Sequence, residues 1–85
     1  MTSPISLEGK RIIVTGAARG LGRAFAEAMI SAGATVMVAD ILEEEGRATA
    51  NAIGAEFVEL DLALPESVDL CVKTAVAALG GLDGL

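Results

Sequence analysis

Apolar positions along this chain follow two alternating rhythms. Ile12-Ile13-Val14, Thr35-Val36-Met37-Val38-Ala39 and Glu56-Phe57-Val58-Glu59-Leu60 are short runs of strand length. The first is apolar without interruption, as in a parallel strand covered on both faces. Between them the period changes. Leu21, Ala24, Phe25, Ala28, Met29 and Ala32 recur at helical spacing, which predicts an amphipathic helix with that stripe turned inward. Gly33 stops it at the position where a left-handed residue is easiest. Leu42 to about Ile53 reads as a second helix with a weaker stripe, Glu43, Glu44 and Glu45 in its first turn and Gly54 at its end. Val68, Cys71, Val72, Ala75, Val76 and Leu79 repeat the stripe in a third helix. Pro65 suits its first turn, Leu64 is a poor cap before it, and Gly80-Gly81 ends it.

The resulting order is β-α-β-α-β-α, with Gly81-Leu82-Asp83-Gly84-Leu85 opening a fourth strand. It predicts an α/β fold, the first half of a doubly wound parallel sheet of Rossmann type. The first strand is expected to be central, with the third helix crossing to a fourth strand on its far side. Residues 1–9 read as a polar lead-in and 10–85 as one unit without linker or repeat.

Candidate chemistry sits at the first strand-to-helix junction. Thr15-Gly16-Ala17-Ala18-Arg19-Gly20-Leu21-Gly22 follows the first apolar run directly and opens the first helix. Gly16 lets the chain turn sharply out of the strand. Of Gly20 and Gly22, one is expected to let backbone approach a phosphate and the other to let the helix sit close to the sheet. The helix start around Arg19, Gly20, Leu21 and Gly22 then offers N–H groups and the positive end of a dipole to an anion. Asp40 ends the second run 24 positions after Gly16, close to the ~20-residue spacing of a ribose-binding acid. Strand, glycine turn, helix, strand and acid together point to a dinucleotide site. Asp40 also suits a helix N-cap, and the two roles are compatible. Arg19 is placed to reach a pyrophosphate, and Thr15 to tie the turn to a neighbouring strand.

The glycine spacing G-x-x-x-G-x-G, led by Thr15, resembles the cofactor turn of the short-chain dehydrogenase/reductase family. Asp40, then Asp61-Leu62 after the third strand, then Gly81-Leu82-Asp83-Gly84-Leu85 continue the resemblance in the same order. It implies an oxidoreductase that moves hydride between a nicotinamide cofactor and an alcohol or carbonyl. It also implies that Asp61 reaches the adenine amino group and that Leu62 lies against the same ring edge, although Asp61 equally suits a turn at a strand end. A basic residue at the place of Arg19 occurs in members that use NADP. The Asp40 carboxylate argues for NAD, because a 2′-phosphate beside it would meet like charge. The family's serine, tyrosine and lysine, and its Asn-Asn-Ala-Gly segment, fall beyond Leu85, so no catalytic residue is expected within these residues. The chain therefore reads as the cofactor-binding part of a longer domain, inactive by itself.

Composition narrows the alternatives. Hydrophobic residues make up 53%, and with the ten glycines about 65%, against ~45–50% in an average soluble domain. The excess suits the interior of a larger fold. A net charge of −6 provides no basic patch for nucleic acid and no polybasic segment for lipid. No apolar run approaches a membrane span. A single cysteine and no histidine exclude an internal disulfide and the usual N/S metal site, and they fit a reducing, cytoplasmic setting. Cys71 reads as a small buried hydrophobe. The absence of tyrosine and histidine removes the family's proton relay from these residues. The resemblance implies a homo-oligomer in the full-length form. Two other readings remain, a non-catalytic nucleotide-binding or interaction module and a methyltransferase of similar topology. The Thr15-Gly16 lead and the gap before Gly20 count against the second.

Overall fold

The computed structural model describes residues 6–84; Leu85 and residues 1–5 of the expected lead-in lie outside the described residues. Six elements follow in the order β1 (Arg11–Thr15), α1 (Gly20–Ser31), β2 (Thr35–Asp40), α2 (Glu43–Ile53), β3 (Glu56–Glu59) and α3 (Pro65–Leu79). The strands are parallel in the order β1-β2-β3. On the other side of β1, Ile12 bridges in parallel to Gly84, and the Ile13 N–H donates to the Gly84 carbonyl over 3.1 Å. The chain leaving α3 has thus crossed over to the far side of β1, as a doubly wound sheet requires.

Period-two alternation divides the core between two faces. Val36, Val38, Ile12, Val14 and Phe57 face α1 and α2, while Met37, Ala39, Ile13 and Val58 face α3. Helices therefore cover both faces, and β2 is buried from Val36 to Ala39. This is the α/β, Rossmann-like arrangement of the N-terminal half of a doubly wound domain.

The helices meet the sheet through small residues. Cys71, Ala75 and Leu79 of α3 pack on one face, which places Cys71 in the core. Desolvation there pushes its thiol pKa up. Val68 and Val76, expected in the same stripe, lie at its exposed margin. The larger departure is in α1. Its inward face is Ala26, Met29 and Ile30, whereas Leu21 and Phe25 from the expected stripe are 70% and 53% exposed. The cause lies at Gly22, where a Cβ would stand 2.1 Å from the Gly16 carbonyl oxygen. That close approach fixes the rotation of α1 and carries Leu21 and Phe25 to its flank.

Candidate functional site

A crevice of about 280 Å³ opens at the carboxyl ends of the three strands, lined by Thr15, Gly16, Ala39, Asp40, Ile41, Leu60, Asp61, Leu62 and Ala63. In an open α/β sheet such a place is where ligands bind. It brings together four of the expected site residues, Gly16, Asp40, Asp61 and Leu62. Arg19, Gly20, Leu21 and Gly22 do not line it; they continue from Gly16 along the turn into α1.

The turn is held from several sides. The Gly16 N–H donates to the Ala39 carbonyl at 2.8 Å, anchoring the end of β1 to β2. Gly16 and Gly20 have φ of +65° and +64°, the left-handed region, and a Cβ at either would meet nothing within 4 Å. Gly20 therefore serves the backbone angle, and Gly22 the packing of helix on turn. No side chain caps α1 and no acid lies in its first turn, whereas α2 carries Glu43, Glu44 and Glu45 and α3 carries Glu66 there. Among the described helices, the positive end of the α1 dipole is thus the one left uncompensated by an acidic first turn. Arg19 is exposed and stands 3.8 Å from Glu45, a weak surface pair.

Asp40 links the turn to the second helix. Its Oδ2 accepts the Ala18 N–H at 3.0 Å, and its Oδ1 accepts the Leu42 N–H at 2.9 Å. Leu42, two residues later, occupies the cap position of α2, so Asp40 braces the entry to that helix as an Asx turn and is not its N-cap. A carboxylate has about four acceptor sites; two are used, and capacity remains on both oxygens. Asp61 is built into the next turn: its Oδ1 accepts the Ala63 N–H and its own N–H donates to the Ser67 hydroxyl, both at 2.9 Å. These bonds ease the start of α3, where Leu64 provides no cap.

Sequence reasoning passed over Thr49. It lies in α2, buried at 2% exposure, and its hydroxyl donates to the carbonyl of Ala18 in the glycine turn. A signal for it existed: Gly46, Thr49, Ala50 and Ile53 share one helical face, and Thr49 is the polar member of that otherwise small or apolar set.

Comparison with known proteins agrees with this geometry. The family described as short chain dehydrogenase matches residues 10–85. The chain is 48% identical over 80 residues to the 2,5-dichloro-2,5-cyclohexadiene-1,4-diol dehydrogenase of Sphingobium indicum, covering 92% of this chain and 32% of that protein. It is 47% identical over 79 residues to the sorbitol dehydrogenase of Cereibacter sphaeroides, covering 91% of this chain and 31% of the other. Among solved structures, the 3-ketoacyl-(acyl-carrier-protein) reductase of Brucella melitensis complexed with NADH superposes with a TM-score of 0.88 at 32% identity, over 92% of this chain and 33% of that one. The chain spans about a third of the length of the curated relatives it matches. With strand order, glycine turn and strand-end acid on one scaffold and the family matched from Lys10 onward, this chain belongs to the short-chain dehydrogenase/reductase family.

Proposed function

We propose that the crevice and the adjoining turn bind the adenosine diphosphate part of NAD, and that the chain is the cofactor-binding part of an oxidoreductase. The observation that carries this reading is Asp40. Its carboxylate borders the crevice, is fixed by two backbone N–H groups, and keeps free acceptor capacity. Ribose 2′- and 3′-hydroxyls would donate to it, each charge-assisted bond contributing ~1.5–3 kcal/mol. A 2′-phosphate there would be repelled by ~4 kcal/mol per unit pair at 4 Å and a surface-like dielectric. Arg19 is the residue that favours NADP, and it lies against Glu45. The uncapped start of α1, with Gly20 opening onto free space, suits a pyrophosphate. Asp61, Leu62 and Ile41 also line the crevice and would offer an adenine ring one carboxylate and two apolar side chains.

When bound, the nicotinamide ring supplies the hydride donor or acceptor. These residues orient the cofactor; a serine, tyrosine and lysine outside them would orient the substrate and move its proton. The substrate class we propose is a small alcohol or its carbonyl, in keeping with relatives named as dehydrogenases of a cyclohexadiene diol and of sorbitol. The full-length protein is proposed to act as a cytoplasmic homo-oligomer. Titration of the full-length protein with NADH, NADPH and S-adenosylmethionine tests the reading. NADH is expected to bind tightest. Preference for NADPH would overturn the role of Asp40, and binding of S-adenosylmethionine alone would favour the methyltransferase reading.

A further inference from the structure

We propose that Thr49 is a positioning residue for dinucleotide binding, one jaw of a clamp on Ala18 whose other jaw is Asp40. This rests on the reading that the turn receives a pyrophosphate. Ala18 is itself buried, at 3% exposure, and both of its backbone polar groups are held by side chains. Its N–H donates to Asp40 Oδ2, and its carbonyl accepts the Thr49 hydroxyl. A helical threonine ordinarily returns its hydroxyl to a carbonyl of its own preceding turn. Thr49 instead reaches a residue 31 positions upstream, and it is the one buried polar side chain among the described residues.

The geometry of the peptide unit turns this bond into an orientation. A trans peptide is planar, with its C=O and N–H pointing opposite ways. Drawing the Ala18 carbonyl into α2 therefore aims the Arg19 N–H away from α2, at the mouth of α1. Asp40 fixes the preceding peptide in the same manner. One carboxylate thus serves the ribose and, through Ala18, sets the turn that serves the phosphates, with Thr49 closing the clamp from behind. Without the hydroxyl the Ala18 carbonyl is buried and unpaired, and the turn relaxes to satisfy it.

The test compares Thr49→Val, which removes the donor at nearly constant volume, with Thr49→Ser, which keeps it. Binding of NADH, ADP-ribose and adenosine to the full-length protein is measured by calorimetry. Thr49→Val should weaken NADH and ADP-ribose by about tenfold, the loss of one buried hydrogen bond. Adenosine, which carries no phosphate, should change by less than about twofold, and Thr49→Ser should bind all three as wild type does. If Thr49→Val does not fold, Thr49→Ala carries the same comparison. Unchanged NADH affinity, equal losses for adenosine and NADH, or failure of serine to restore binding would each overturn the proposal. A wild-type protein that binds no dinucleotide would instead remove the function on which it rests.

Discussion

Asp40 makes two kinds of contact, and their consequences separate experimentally. Its bonds to the Ala18 and Leu42 N–H groups are structural, while the residue also lines the crevice with acceptor capacity left on both oxygens. Asp40→Ala should weaken NADH by about ten- to a hundredfold for each charge-assisted bond lost, and narrow the gap to NADPH. Dissociation constants for both cofactors in the full-length protein check this; equal NADH affinity in mutant and wild type would remove Asp40 from the ribose site. The glycines of the turn differ in what they protect. Gly22→Ala drives a Cβ into the Gly16 carbonyl oxygen and should lower stability by about 1–3 kcal/mol or more, read as a fall in melting temperature. At Gly20 a Cβ would meet nothing within 4 Å, but Gly20→Val forces a β-branched residue to φ +64°, at ~1–2 kcal/mol, and fills space at the helix mouth. Its larger effect should be on binding, with NADH affinity nearly abolished at a modest loss of melting temperature. The φ requirement at Gly20 is thus a reason added to the phosphate approach expected of one of these glycines from the sequence.

Among the elements, the start of the fourth strand is tied to β1 by the Arg11–Asp83 pair beside the backbone bonds of Gly84 to Ile13 and Arg11. Arg11 Nε donates to Asp83 Oδ2 at 2.9 Å, and the Arg11 backbone N–H donates to the same oxygen at 2.9 Å. Its Nη1 donates to the Gly80 carbonyl at 2.9 Å, and the Asp83 N–H returns a bond to the Arg11 carbonyl at 2.7 Å. This knot sets the register in which residues after α3 join β1. The Arg11 side-chain bond, with its backbone N–H behind it, holds the Asp83 carboxyl pKa below its ordinary value of 3.8, and Asp83 in turn raises that of Arg11. For an acid whose folded pKa is depressed, the stabilisation is complete above the unfolded value and is lost as pH falls through the folded one. Acid titration should therefore release this edge below about pH 4, while Asp83→Asn should remove that pH dependence. Amide exchange at Ile13, whose N–H is bonded to Gly84, reports both. A protection factor at Ile13, its exchange rate relative to an unfolded amide at the same pH, that ignores pH and Asp83 would deny the pair its role in register. Nothing in the local sequence announces this pairing, because its partners lie 72 residues apart.

For the molecule as a whole, the decisive feature is apolar surface left uncovered. Leu21 and Phe25 on α1, and Leu70 and Val76 on α3, are exposed between 43% and 70%. They lie on opposite faces of a sheet whose β1 edge is paired by residues 83 and 84 among the described residues. Relatives three times as long have the chain to cover such faces, and a core of this size buries only about 60–65% of the unfolded surface. We expect the isolated 85 residues to associate or to unfold without cooperativity, to bind NAD weakly, and to oxidise no alcohol, since they contain no tyrosine or histidine. Size-exclusion chromatography, calorimetry and nicotinamide absorbance check the three. A monomer that melts sharply and turns over an alcohol would refute the assignment of cover and catalysis to residues outside this chain.

What the amino-acid sequence determined by itself was the series of elements, their order, and the residue types at each strand end. These follow from local causes: continuous or helical apolar spacing, glycine at the helix ends, and an acid or glycine where a strand stops. Gly16 and Asp40 were legible for that reason, since parallel strands deliver their carboxyl ends to one crevice; Asp61 and Leu62, two and three residues beyond β3, were reached through the family resemblance. Tertiary structure decided what depends on phase and on distant partners. Periodicity specifies that a helix has an apolar stripe, but the stripe of α1 is broad enough to be turned. The contact between Gly22 and the Gly16 carbonyl chose Ala26, Met29 and Ile30 over Leu21 and Phe25. The Thr49 bond to Ala18 and the Arg11 bond to Asp83 likewise join residues remote in sequence. They exist only once strand pairing has brought the elements together.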